Sequence, residues 1–204
     1  MKLYDDKLAP NPRRVRIFLA EKGIEVPMVN VDIFKLEHKT PEYRKINSLS
    51  GVPALELDDG TVIAETVAIS RYFEELHPNP PLFGVDAKDK AIVEMWNRRM
   101  ELTVFIPVAM VMRHLHPRLA AIQTQFKDWG EFNKGTVAKV WDWLERELAD
   151  GRPFIAGERY TIADITGLCA ADFSKFARAP WNKDEHKNIQ AWYERVCSRP
   201  SAKA

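Results

Sequence analysis

Cysteine is almost missing from this chain. Only Cys169 and Cys197 occur in 204 residues, too far apart for a CxxC redox pair or a metal knuckle. Both fall in helix-patterned segments and read as small buried hydrophobes of a reducing compartment. Long apolar runs are missing too. The longest, Phe105 to Met112, is far short of the ~20 residues that a membrane span needs. The opening MKLYDDK has no apolar signal-peptide core, so the expectation is a cytoplasmic protein with no membrane partner. A charge surplus is absent as well: Lys+Arg 30 balances Asp+Glu 29, which argues against nucleic acid. His114 and His116 are two apart and so on different helix faces, and no metal is expected. There is no internal repeat and no low-complexity tail.

What is present is 46% hydrophobic content, enough for one large core or two small ones. Lys2 to Tyr4 reads as a first strand. Ala9-Pro10-Asn11-Pro12 reads as a helix entry, because proline is tolerated at the first helical position. Val15 to Ala20 continues that helix to Gly23, a natural C-cap. Met28 to Ile33 alternates like a second strand, and Thr40-Pro41 opens a short helix over Glu42 to Ile46. The order βαβ, helix, ββα predicts a parallel pair with a right-handed crossover and an antiparallel hairpin at its edge. This α/β domain is expected over 1–78, followed by a proline-rich linker over 79–87 that starts within His77-Pro78-Asn79-Pro80-Pro81.

Beyond the linker, over 88–204, the pattern is all-α. A long helix is predicted over Asp89 to Leu115, kinked by Pro107. A second runs from Phe126 to Leu148 with Val137, Val140, Trp141 and Leu144 on one stripe. Tyr160-Thr161-Ile162-Ala163-Asp164 is a helix start, with Thr161 and Asp164 forming a capping box and Asp164 expected to do no chemistry. A last helix carries Ile189, Trp192 and Val196.

The chemistry-bearing stretch is Ser50 to Phe73: a strand over Val52–Leu57, an Asp59-Gly60 hairpin turn, a returning strand over Thr61–Ala64, and a helix opened by Glu65 and Thr66. It offers a strand edge at Val52 and free amides at a helix start. A peptide-like ligand fits this order. Its amide pairs with the Val52 backbone, its carboxylate meets the Thr66 hydroxyl and the helix amides, and its amino group meets Glu65. The plainer reading is a hairpin followed by an ordinary helix start.

The segments APNPRRVRIFLAEKGI, EHKTPEYRKIN, GVPALELDDGTVIAET and FIAGERYTIADI together resemble the glutathione transferase family. The likeness is greatest to a fungal and bacterial subgroup without the usual catalytic side chain. The resemblance implies a thioredoxin-like N-terminal domain, an all-α C-terminal bundle, glutathione as co-substrate, and a homodimer through helices starting near Glu65 and Asp89. It implies a cis bond before Pro53, backbone pairing of glutathione at Val52, and its γ-glutamyl end on Glu65 and Thr66. His38 and Lys39 then fall at the glycine carboxylate.

The implied activity is conjugation of the glutathione thiolate to a small apolar electrophile. Alternatives on the same fold are a glutathione peroxidase or a non-catalytic binding protein. The family's Ser or Cys position is Ala9, and the subgroup's water-holding Ser and His fall on Ala109 and Arg113. The catalytic group is therefore open, with the first-helix amides of Asn11 and Arg13 and the Asn11 side chain as candidate donors. An apolar pocket between the domains is expected from Phe105, Met110, Met112 and Phe176.

Overall fold

A computed structural model describes residues 1–204. It divides into two compact units, Met1–Leu82 with Ala204, and Phe83–Lys203. The division falls inside the expected linker, just after the prolines.

The first unit runs β1 (Lys2–Asp5), α1 (Pro10–Lys22), β2 (Met28–Asn30), a 3-10 turn over Glu37–Lys39, α2 (Pro41–Ile46), β3 (Ala54–Glu56), β4 (Val62–Ala64) and α3 (Thr66–Leu76). The sheet order is β2-β1-β3-β4, with β1 parallel to β2 and β3 antiparallel to β1 and β4. Because strand side chains alternate, Leu3 and Leu55 point to one face and are fully buried. Tyr4 and Ala54 point to the other and pack with Val31 and Tyr43. Gly23 ends α1 at φ 64°, where glycine carries no Cβ penalty. The Thr40 hydroxyl caps α2 by accepting the Tyr43 N–H at 3.2 Å.

Two strands are shorter than their apolar patterns. β2 stops at Asn30, because the Asp32 carboxylate accepts the N–H groups of Phe34 (2.9 Å) and Lys35 (3.1 Å) and turns the chain out of the ladder. β3 begins at Ala54, because Pro53 has no N–H to give.

The second unit is helical: α4 (Ala87–Arg98), a π-helical stretch over Arg99–Phe105, α5 (Ile106–Leu115), α6 (Lys127–Glu147), α7 (Ile162–Phe176) and α8 (Lys187–Cys197). In place of the simple kink expected at Pro107, the rod widens over the preceding turns. The proline ring crowds the carbonyl four residues back and removes one donor, and the wider spacing absorbs both. At Gly130 a Cβ would come within 2.6 Å of Leu115, so only glycine lets α5 and α6 approach this closely. Cys169 is buried as expected, whereas Cys197 is half-buried.

The Asp164 carboxylate is fully enclosed. Oδ1 accepts from the Ile155 N–H (2.8 Å) and Trp192 Nε1 (2.9 Å), and Oδ2 from the Thr161 N–H (2.9 Å) and hydroxyl (3.2 Å). Burial pushes this carboxyl up to about 6, against the pull of those four donors. No helix is long and apolar enough to cross a membrane.

Candidate functional site

The sheet register gathers the predicted groups at one end of the first unit. β3 and β4 pair Ala54 with Ala64, so one residue outward sets Pro53 beside Glu65, and the next sets Val52 beside Thr66. β1 and β3 pair Tyr4 with Ala54, so the same step sets Asp6 beside Val52. The loop after β1 and the start of α1 therefore lie by the start of β3 and of α3. The Val52–Pro53 peptide is cis. The Val52 N–H and C=O take no main-chain partner, which leaves one rung for an extended ligand.

Glu65 caps α3 at φ 70°, ψ 128°, a backbone region costly for a residue with a side chain. Its carboxylate is exposed, and Thr66 behind it is buried. The first amides of α3 precede its first internal bond, from the Ile69 N–H to the Glu65 carbonyl. The start of α3 thus presents an acid and donors side by side, which suits an amino-acid head group carrying both charges.

Three groups supporting this end were not legible as a motif. Tyr43 Oη (2.8 Å) and Asn47 Nδ2 (2.9 Å) both donate to the Gly51 carbonyl, fixing the loop that presents Val52. The Asp6 carboxylate, buried, accepts from the Leu8 (2.8 Å) and Ala9 (3.1 Å) amides through Oδ1 and from the Ile33 amide (3.0 Å) through Oδ2. It ties the loop before α1 to the exit of β2. An aspartate directly before a turn signals the Leu8 and Ala9 bonds, though not the one to Ile33.

Next along the chain come His38 and Lys39. His38 Nδ1 is buried with no partner in the chain. Burial and then the neighbouring Lys39 lower the His38 pKa, with Asp6 pulling the other way, so the ring is neutral at pH 7. Tyr4 turns away from the site: its hydroxyl donates to Glu56 at 2.7 Å, and its ring meets Tyr43 edge-on at 5.8 Å.

Comparison with known proteins identifies the family. The family models described as the glutathione S-transferase N-terminal and C-terminal domains match residues 9–76 and 109–200. Glutathione S-transferase 2 of Saccharomyces cerevisiae is 36% identical across all of this chain and 88% of its own length. The chain belongs to the glutathione S-transferase family.

Two solved structures extend the likeness. The crystal structure of Gtt2 from Saccharomyces cerevisiae superposes with a TM-score of 0.92 at 36% identity, covering 100% of this chain and 99% of that one. A glutathione S-transferase domain-containing protein of Marinobacter aquaeolei gives 0.91 at 39% identity, covering 98% and 99%. The thioredoxin-like and helical units are those of a glutathione transferase, and the family uses glutathione as substrate.

The start of α1 has few donors to offer. Ala9 caps α1 with no side-chain donor or acceptor. Pro10 and Pro12 remove two amides, and the Leu8 and Ala9 amides are spent on Asp6. The Arg13 amide, expected as a donor, instead turns inward to the Ala9 carbonyl at 3.4 Å, closing the first helical turn. Asn11 alone remains, with its main-chain N–H and its side-chain amide.

In the helical unit, Phe105 is core rather than lining: it is buried and stacked on Phe173 at 5.9 Å. Met110 and Met112 are half-buried, and Phe176 is exposed. Ala109 is half-buried, and the Arg113 carbonyl is occupied by the Gln123 and Gln125 side chains. His114 Nδ1 accepts the Phe126 N–H at 3.2 Å, so this ring anchors the start of α6.

Proposed function

We propose that this transferase grips glutathione at the end of the sheet where Val52, Pro53, Glu65 and Thr66 meet, and conjugates its thiolate to a small apolar electrophile. The observation that carries the reading is the unpaired Val52 rung set by the register beside the Glu65–Thr66 helix start. The cysteinyl amide pairs with Val52, the γ-glutamyl carboxylate takes the Thr66 hydroxyl and the first α3 amides, and the amino group meets Glu65. His38 and Lys39 receive the glycine carboxylate; Lys39 supplies the charge, and the neutral imidazole supplies a hydrogen bond.

Chemistry requires the thiolate. A free thiol near 8.5 is only a few per cent ionised at neutral pH, and lowering it by about two units takes roughly 2.7 kcal/mol of differential stabilisation. With no hydroxyl at position 9, the positive end of α1 and the two Asn11 donors supply this in our reading. Met110, Met112 and Phe176 are the apolar groups offered to the electrophile. A detoxifying role, a cytoplasmic home and a homodimer complete the proposal, the last through the helices that start near Glu65 and Asp89.

Calorimetry with glutathione, followed by turnover of an aromatic halide and of a hydroperoxide, tests it. Micromolar-to-millimolar binding with halide turnover is expected. Turnover of the hydroperoxide alone would make the protein a peroxidase, and binding without either turnover a carrier. Absence of binding would end the proposal.

A further inference from the structure

Arginine is rarely enclosed without a task, because a buried guanidinium must be matched by acceptors. Arg14 is one of the largest fully buried side chains here, at 2% exposure, and it sits in the first turns of α1. Its Nη1 lies 3.4 Å from Asn11 Oδ1, one helical turn back. Arginine only donates. Whatever faces it must accept, so the Asn11 oxygen is held inward and the Asn11 Nδ2 group is turned outward. The Nδ2 group is not consumed elsewhere within the chain, and Asn11 itself is half-buried.

We infer that Arg14 is a positioning residue for thiol activation: it fixes the polarity of the Asn11 amide so that N–H, not C=O, faces the sulfur. This rests on the proposed role of Asn11. A primary amide free to flip presents its oxygen as readily as its nitrogen, and an oxygen would repel a thiolate. Arg14 removes that choice. Its charge also draws electron density from the amide oxygen, which makes the outward N–H a stronger donor. Arg14 itself never touches the substrate. The thiol proton leaves to solvent, and the amide changes only how readily it leaves.

The test reads the thiol itself. Ultraviolet absorbance of bound glutathione is titrated against pH in the full-length protein, with calorimetry of glutathione binding alongside. The wild type should ionise below the free value. Asn11→Ala should raise the midpoint by about one unit, a tenfold loss of thiolate at fixed pH. Arg14→Met should raise it by a similar amount while the glutathione Kd stays within about twofold. The double variant should shift no further than either single one.

Asn11→Asp guards against misfolding of the Arg14 variant. It keeps or improves the pairing with Arg14, yet presents an oxygen outward, so the midpoint should move above the free value in a protein at least as stable as the wild type. Additive shifts in the double variant, or an unmoved midpoint in Asn11→Asp, would overturn the inference. Unmoved midpoints with intact binding would remove Asn11 from thiol activation and leave the glutathione site standing. Loss of all binding in the wild type would remove the site itself.

Discussion

The helix starts at α1 and α7 are built in opposite ways. At α7 the acid is used up inside the chain: the Asp164 carboxylate takes two amides, a hydroxyl and an indole N–H, and is sealed from water. At α1 the cap is an alanine, two of the first three helical residues are prolines, and the remaining donors belong to one asparagine. The first start is finished and the second is left open. A helix terminus with its donors spent on its own acid is architecture. One with donors in hand beside a ligand-sized sheet edge is a place for someone else's anion.

The largest effect that would break the contrast is at α7. Asp164→Ala strands three buried N–H donors, each worth about 1–3 kcal/mol when left unmet, so a loss of about 4 kcal/mol or more is expected in urea denaturation. Glutathione affinity of the folded fraction should hold. A variant losing less than about 1 kcal/mol would mean that the α7 cap is dispensable.

The same carboxyl gives a pH signature. Its folded-state pKa, near 6, lies above the ordinary carboxylate value, so the native state holds the proton more tightly than the unfolded chain. The Asp164 contribution is then fullest below about pH 4 and declines as pH rises through 6, by roughly 1 kcal/mol per pH unit. Stability measured at pH 4 to 7 for the wild type and for Asp164→Asn should diverge in that sense. Parallel curves would show that the four donors outweigh burial.

A third measurement sharpens the comparison at the other open terminus, α3. Glu65 is exposed and occupies φ 70°, so Glu65→Gly should raise stability by about 1 kcal/mol while weakening glutathione at least tenfold. A residue kept in a costly backbone region against stability is kept for binding. Unchanged affinity would deny Glu65 that role. The smallest effect is expected at position 9. Ala9→Ser offers the missing cap and should add about 0.5–1 kcal/mol. Its oxygen would take the Asn11 amide, so the thermal gain should come without a matching gain in thiolate. A large rise in turnover would instead mean that serine replaces the Asn11 donors.

The regular parts of this molecule could be read from residues alone: Pro10 and Gly23 bracket α1, Thr40 caps α2, Thr161 and Asp164 open α7, and the Asp59-Gly60 turn sets the hairpin. The nearness of Val52, Glu65 and Thr66 followed too, because hairpin register brings them together, and that is local. What escaped was tertiary. Nothing in the spacing of Asp6 says that its carboxylate will reach Ile33, and a lone arginine in a helix reads as a solvated charge until Arg14 is seen enclosed. Arg13 and Phe105 were misjudged for the same reason: helical phase gives a residue's direction, but only packing decides what it meets.

The π-helical stretch over Arg99–Phe105 has a bearing on how this rod tolerates change in length. Each wide turn stores a residue beyond what an α-helix would use. Deleting one residue there would let the segment tighten to α-helix and absorb the loss, so Ile106 to Leu115 would nearly keep their facing. The same deletion inside α5 would turn Leu115 by about 100°, out of the notch at Gly130, and the two long helices would lose the contact that lets them nest.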